Sequence, residues 1–147
     1  MFRVRTLSLL LFLLPLTLGA ADPVNTTWWR NLAIKGYDPV AYFTLSKAVK
    51  GKKEFETKWN GAVWRFATRD HLYSFKADPE KYAPAYGGYC AWAVSRGDTA
   101  DIDPQEWSIV DGRLFLNYNR AIHEKWSRKK ETHIRRADQN WPGIRDG

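Results

Sequence analysis

Apolar and polar residues alternate with a period of two in two stretches of the chain, residues 55–66 and 107–118. Each stretch is interrupted by a turn dipeptide, Asn60-Gly61 in the first and Asp111-Gly112 in the second. A two-residue turn of this kind between alternating strands is the strongest short-range signal of a β-hairpin. The sequence therefore predicts two antiparallel hairpins.

A helical pattern follows each hairpin. Thr68 and Asn119 stand seven residues after the turn glycines, both are favourable N-caps, and each precedes an arginine. From these positions we predict one helix to about Lys76 and a long one from Arg120 to about Ala137, with its apolar residues on one stripe. Two hairpins that are each followed by a helix, the second by a long C-terminal helix, predict a small single-domain α+β fold.

The remaining segments carry weaker signals. Turn residues Gly36 and Asp38-Pro39 divide residues 33–43, so we predict short extended pieces around a bend there and no regular helix. Residues 89–95 are predicted to begin a short buried helix. Near the C terminus, Pro142-Gly143 is expected to stop any helix and leave a tail.

The first 21 residues have the composition of a secretory signal peptide. Two arginines precede an apolar run over residues 7–18, and small residues follow it. Because the run is short and interrupted by Pro15, it is a poor permanent membrane anchor. We expect cleavage after Ala20 or Ala21 and a periplasmic or secreted location.

We divide the chain into the signal peptide 1–21, a lead-in segment 22–35, a domain 36–141 and a tail 142–147. About 126 residues remain after cleavage, which is enough for one hydrophobic core. The net charge is +7 for the whole chain and +5 without the two arginines of the signal peptide. The mature protein is therefore basic, but export argues against nucleic acid as its partner.

The chain contains 8 tryptophans and a single cysteine, Cys90. One cysteine excludes an internal disulfide, and with it the disulfide-stapled class that is common among small exported domains. Large aromatic rings are expected to build the core instead. Trp28, Trp29 and Trp141 lie outside the regular patterns. We expect the first two, which belong to the lead-in segment, to pack against the domain, and all three are candidates for the rim of a groove.

Several separated motifs occur in order along residues 36–95. They are Tyr37-Asp38-Pro39-Val40, the strand Trp64–Phe66, Phe75, Asp78-Pro79-Glu80-Lys81-Tyr82 and Gly87-Gly88-Tyr89-Cys90. With these motifs the chain resembles the YHS domain family, in the exported bacterial subgroup that carries the domain alone, and the similarity extends to Trp141. The resemblance implies a small α+β fold and suspected transition-metal binding.

The metal hypothesis depends on a few side chains. Many YHS relatives carry cysteines at positions matching Ala41 and Ala67, and this chain has neither thiol. A lone Cys90 cannot supply a Cys₄ or Cys₂His₂ set, so a structural zinc site is not expected. Cys90 with His71 and His123 would suit copper or zinc, and these three residues are the candidate metal site. The alternative is that Cys90 is a small buried apolar residue.

Other chemistry has less support in the sequence. His71 and His133 are predicted to face solvent, whereas His123 is predicted to be partly buried. The common motifs of hydrolases, zinc proteases and dithiol enzymes do not occur, and a pairing of Cys90 with a histidine is the one catalytic alternative.

The predicted C-terminal helix is rich in lysine and arginine. Such a surface suits an anionic membrane or an acidic envelope protein, unless it is only a solvated helix face. We therefore predict an exported binding or accessory module rather than an enzyme. It either binds a transition metal around Cys90 or is a metal-free module that uses its aromatic and basic surface.

Overall fold

The computed structural model describes residues 19–147, so the predicted signal peptide lies outside the described residues except for its last three. The predicted fold class is confirmed: the chain forms a small α+β domain with two antiparallel hairpins, each followed by helices, and a long C-terminal helix. The elements are α1 (Pro39–Thr44), β1 (Lys52–Trp59), β2 (Ala62–Phe66), α2 (Arg69–Ala77), α3 (Pro79–Tyr82), α4 (Ala91–Ser95), β3 (Asp103–Val110), β4 (Arg113–Asn117), α5 (Arg120–Arg128) and α6 (Lys130–Asp146).

The two hairpin-and-helix units have the same construction. The first and last residues of β1, β2 and α2 lie 51 residues before those of β3, β4 and α5. For example, β1 begins at Lys52 and β3 begins at Asp103. Strand pairing repeats in the same register, including an irregularity between Lys52 and Glu56 that recurs between Asp103 and Trp107. The two units therefore correspond residue by residue over these elements, with an offset of 51.

The repeat also includes the segment before each hairpin. A short 3-10 turn, Ile34–Gly36 in the first unit and Ala85–Gly88 in the second, leads into a short helix. Asp38 is the N-cap of α1, and Cys90 is the N-cap of α4. The second 3-10 turn is one residue longer than the first, so Cys90 follows Asp38 by 52 residues and, as the N-cap of the short helix, occupies the place of that aspartate.

The hairpin turns adopt the conformation that their residues favour. Asn60 and Gly61 have φ values of 49° and 77°, and Asp111 and Gly112 have 50° and 74°. Positive φ at both central residues is the type I′ geometry, whose twist matches that of the flanking strands.

Aromatic rings fill the interior. Phe75 of α2 lies with its ring centroid 5.1 Å from those of both Trp64 and Phe66 on β2. A second cluster forms where Phe115 of β4 packs at 5.4 Å from Trp126 of α5. These four elements are therefore held together mainly by large buried rings, which contribute much apolar area per residue.

Two helix predictions near the C terminus are wrong. The helix predicted from Arg120 to Ala137 is broken at Lys129, which has non-helical φ and ψ of −141° and 44°. The second part, α6, continues through Pro142 to Asp146, where we predicted a tail. Tertiary packing outweighs the missing proline N–H, because Trp141 and Ile144 pack against the second aromatic cluster.

The segment predicted as extended pieces around a bend is also corrected. Residues 39–44 form α1, because the Asp38 carboxylate accepts hydrogen bonds from the N–H groups of Val40 and Ala41 and Pro39 fits the first helical position. At the other end of the described chain, the Ala21 N–H donates to the carbonyl of Ile144 at 3.0 Å. Within residues 19–147 no helix combines the length and the apolar character needed to cross a membrane.

Gly87 provides a test of how the N-terminal segment docks on the second unit. Its carbonyl accepts a hydrogen bond from Asn25, its φ is +61°, and a Cβ there would overlap the carbonyl of Pro23. Gly112 has a similar φ of +74° but faces open space. We expect Gly112→Ala to cost about 1 kcal/mol, the usual cost of a left-handed side chain. Gly87→Ala should cost about 3 kcal/mol, because overpacking adds to the same backbone strain. Urea unfolding measures both, and equal losses would contradict the docking contact.

Candidate functional site

His71 pairs with a buried carboxylate, which corrects the prediction that it faces solvent. Its Nδ1 lies 2.6 Å from Oδ2 of Asp38, whose side chain is 0% exposed, while the imidazole is 15% exposed. The Nε2 atom lies 3.3 Å from Oγ1 of Thr44, a hydroxyl that donates its own hydrogen to the carbonyl of Val40. The carboxylate in the α1 cap thus holds the ring of α2 in place.

Asp38 has a full set of hydrogen-bond donors. Oδ1 accepts from the N–H groups of Val40 and Ala41 at 2.8 and 3.2 Å, and Oδ2 accepts from the N–H of Ala67 at 2.8 Å as well as from His71. Three backbone amides and one imidazole therefore compensate for the burial of this carboxylate. We call the site that these donors surround the Asp38 cradle.

Cys90 lies in the corresponding cradle of the second unit. The backbone N–H groups of Trp92, Ala93 and Tyr118 are directed at its sulfur, and they match the three amides around Asp38. Burial nevertheless raises the pKa of the Cys90 thiol above its ordinary value, against the lowering effect of these amides. Ile122 stands where His71 stands in the first unit, so the second cradle has no imidazole.

The alternative prediction for Cys90, that it is a buried small residue, is confirmed, since Cys90 is 1% exposed. Its Sγ lies 3.6 Å from Oδ1 of the fully buried Asn117, which also accepts from the N–H of Trp92. A small apolar cavity of about 170 Å³ adjoins the thiol. It is lined by Cys90, Trp92, Ala93, Ala100, Tyr118 and Ile122.

A second imidazole–carboxylate pair lies between β3 and α5. His123 Nδ1 is 3.0 Å from Oε2 of Glu106, and His123 Nε2 is 2.7 Å from Oγ of Ser108. The imidazole is 19% exposed, so the prediction that it is partly buried is confirmed. Burial alone would raise the pKa of Glu106, but hydrogen bonds from His123 and Arg120 outweigh it and hold that pKa below its ordinary value.

His133 is partly buried, which corrects the prediction that it faces solvent. Its Nδ1 lies 3.2 Å from Oγ of Ser95. Burial and then the charges of Arg136, Lys129 and Arg96 lower its pKa. The neutral imidazole is therefore favoured here, next to a strongly basic surface.

The three predicted metal ligands have separate surroundings. The ring nitrogens of His71 and His123 already have hydrogen-bond partners in the protein, and the cavity beside Cys90 contains no histidine. In the part of the chain that the structure describes, no group of three or more His, Cys, Asp or Glu side chains is arranged to hold a metal ion. The donor set that these residues offer therefore does not fit a copper or zinc centre.

A loop before α1 exposes two indoles, against the prediction that they pack on the domain. Trp28 is 91% exposed and Trp29 is 60% exposed, with their rings edge to face at 5.6 Å. The loop is firmly anchored, because the Thr27 N–H donates to Leu32 and the Asn31 side chain donates to the carbonyl of Gly61 at 2.7 Å. We call residues 27–32 the tryptophan loop.

Sequence reasoning missed Asp38, Glu106 and Ser108 as members of these clusters. Asp38 was identified only as a turn residue and as part of the Tyr37–Val40 motif, although an aspartate before Pro39 is also a strong N-cap. Glu106 was visible only as a polar residue near the start of a strand. Nothing local in the sequence connects it with His123, 17 residues away.

No protein-family model, curated protein or solved structure matches the chain at a significant level. The resemblance to the YHS domain therefore stays a prediction that rests on the sequence motifs.

The Asp38 cradle predicts a large loss of stability in Asp38→Asn. The asparagine side chain keeps one acceptor oxygen and has an NH₂ group in place of the other. The N–H of Ala67 or the imidazole of His71 then faces a second donor. One or two unsatisfied buried donors cost roughly 2–5 kcal/mol. Asp70→Asn is the control, because Asp70 is exposed on the same helix as His71, and we expect a change below about 0.5 kcal/mol. Urea unfolding distinguishes the two, and similar small losses would contradict the role of the carboxylate.

The correspondence between Asp38 and Cys90 predicts an energetic coupling. Cys90→Asp alone should destabilise the protein, because it buries a carboxylate without an imidazole. Ile122→His alone should also destabilise it, because it buries a polar ring. Together they recreate the first unit's pair, so the double variant should be more stable than the sum of the single losses predicts, by about 1 kcal/mol or more. Strictly additive losses in a double-mutant cycle would show that the two cradles are not equivalent.

Proposed function

We propose that the protein is an exported binding module that docks on an anionic membrane surface of the cell envelope through the tryptophan loop. The observation that carries this proposal is the exposure of the neighbouring rings of Trp28 and Trp29 on an anchored loop. The predicted signal peptide supports an envelope location, and the resemblance to the exported YHS subgroup supports a binding or accessory role.

Indole rings favour the interface between water and lipid, because their apolar body enters the headgroup region while the N–H stays solvated. Each ring carries roughly 200 Å² of surface, so half-burial is worth about 2.5 kcal/mol per ring at ~25 cal/mol/Å². Since the hydrogen bonds of Thr27 and Asn31 already fix the loop, little conformational entropy is lost on docking.

The charge around the loop has the sign that an anionic surface attracts. Arg30 is exposed beside the two indoles, and Lys35 lies at the base of the loop, where it is paired with Asp101 at 3.1 Å. A basic residue close to an anionic bilayer adds about 1 kcal/mol. The mature chain's net charge of +5 adds a longer-range attraction that salt weakens.

Transition-metal binding, the other hypothesis from the sequence, receives less support, because the nitrogens of His71 and His123 are engaged elsewhere. A protein or carbohydrate partner would also use exposed indoles. The neighbouring Arg30 favours an anionic lipid surface, and the other partners are outcomes that the experiment distinguishes.

Vesicle binding tests the proposal. The purified protein should co-sediment with vesicles that contain phosphatidylglycerol and bind weakly to vesicles of phosphatidylcholine alone, with binding that falls as salt rises. The double variant Trp28→Ala/Trp29→Ala should lose at least tenfold in partitioning, since tenfold corresponds to only about 1.4 kcal/mol.

The matched control replaces two exposed aromatics outside the loop, Tyr73 and Tyr118, which are 57% and 53% exposed. Tyr73→Ala/Tyr118→Ala should bind like the unmodified protein. Absence of vesicle binding, or equal losses in both double variants, would overturn the membrane proposal. Binding to a soluble glycan or protein that needs Trp28 and Trp29, without vesicle binding, would assign the loop to that partner instead.

A further inference from the structure

Three histidines contact a hydroxyl group, and the contacts differ in where the hydroxyl hydrogen is directed. Thr44 donates to the carbonyl of Val40, and Ser95 donates to the carbonyl of Trp92 at 2.6 Å. The Ser108 hydroxyl has His123 Nε2 as its sole hydrogen-bond partner among residues 19–147, at 2.7 Å. The Ser108 hydroxyl alone is therefore free to give its proton to an imidazole.

From this geometry we infer that Ser108, His123 and Glu106 form a nucleophilic site for acyl transfer from short, polar carboxylic esters. Serine oxygen, imidazole and carboxylate follow one another at 2.7 and 3.0 Å, the separations that a base-activated serine requires. The assignment adds an activity to a chain whose sequence motifs indicate only a binding module, and it does not depend on membrane docking.

Glu106 fixes the proton arrangement of the imidazole. As an ionised carboxylate it accepts the Nδ1–H of His123, which leaves Nε2 with a lone pair facing the Ser108 hydroxyl. Arg120 Nε donates to the other carboxylate oxygen at 3.2 Å and favours the ionised form of Glu106. Glu106 is thus a positioning residue for the base.

The first unit indicates that the fold needs neither a carboxylate nor an imidazole at these positions. The residues that correspond to Glu106, Ser108 and His123 are Phe55, Thr57 and Leu72, and both Phe55 and Leu72 pack against the main core. Even Arg69, the counterpart of Arg120, lies over the ring of Phe55 instead of pairing with a carboxylate. The positions of the carboxylate and the imidazole are therefore apolar in the first unit and form a hydrogen-bonded pair in the second, while both units have a hydroxyl residue at the position of Ser108.

An open cleft of about 520 Å³ borders the carboxylate and the imidazole of the triad. It is lined by Glu106 and His123 together with Gln105, Arg120, Glu124, Ser127 and Arg128. Ser108 lies outside this lining and is half-buried on the strand side of the imidazole, with its Oγ 2.7 Å from His123 Nε2. Because the lining has no aliphatic side chain to cover a long acyl chain, the cleft suits small, polar acyl groups.

The reaction is balanced with the ester and water alone. Ser108 Oγ attacks the acyl carbon while its proton passes to His123 Nε2, and the alcohol leaves with that proton when the tetrahedral adduct collapses. Water then attacks the acyl-serine ester with His123 again taking a proton. A carboxylic acid is released, and the serine hydroxyl is regenerated.

A fluorophosphonate probe tests the site, because it reacts with base-activated serines by displacing fluoride from phosphorus. We expect one equivalent of phosphonyl adduct on the peptide that contains Ser108, and no adduct in Ser108→Ala. In His123→Gln the labelling rate should fall at least 100-fold, since a general base contributes about 10²–10⁴. Hydrolysis of p-nitrophenyl acetate should fall in the same two variants.

Ser95→Ala is the matched control. Ser95 also contacts an imidazole, with its Oγ 3.2 Å from Nδ1 of His133, but its hydroxyl donates to the backbone carbonyl of Trp92 at 2.6 Å and it lies outside the cleft. The variant should label at the unmodified rate. Ser108→Ala removes a single oxygen, and a thermal melt verifies that it folds. Absence of an adduct on the unmodified protein, an adduct on another residue, or unchanged labelling of His123→Gln would overturn the inference.

Discussion

The buried carboxylate of Asp38 connects more of the first unit than any other polar side chain that the structure describes. It caps α1, accepts the N–H of Ala67 at the end of β2, and holds the imidazole of α2 at 2.6 Å. A carboxylate without these donors would be very costly to bury. Because the donors come from α1, from the residue after β2 and from α2, the carboxylate is satisfied only when those elements have reached their native places. The buried carboxylate therefore favours one specific arrangement of these elements, in addition to contributing to the stability of the fold.

The second unit keeps the cradle but changes its content. Three backbone N–H groups point at Cys90 as they do at Asp38. Burial outweighs their effect and raises the pKa of the Cys90 thiol. The second unit has its imidazole–carboxylate pair at a different position, His123 and Glu106, where the first unit has apolar residues. Each unit thus contains one such pair, at a different depth and with different access to solvent. The common backbone tolerates either content at both places, which is how one scaffold can carry two kinds of site.

Local signals predicted the parts of the fold that local physics decides. Asn60-Gly61 and Asp111-Gly112 identify their turns because few residue pairs accept positive φ twice in succession. The exposed position of Asp70 suggested that His71 also faces solvent, but the ring turns to Asp38, which is 33 residues away. Pro142 was predicted to end a helix, but packing of Trp141 against distant rings sustains it. The candidate site was hardest to predict, because its members come from separate elements that only the tertiary fold brings together.

The hydrogen bond between Ala21 and Ile144 places two points that are far apart in sequence next to each other in space. A short peptide could join them and close the described chain into a ring without moving α6. The ring could then be opened in the connection between α3 and α4, so that each hairpin-and-helix unit stays continuous while the order of the units along the chain is reversed. A circular permutant of this kind would separate the order in which the units are synthesised from the contacts that they form.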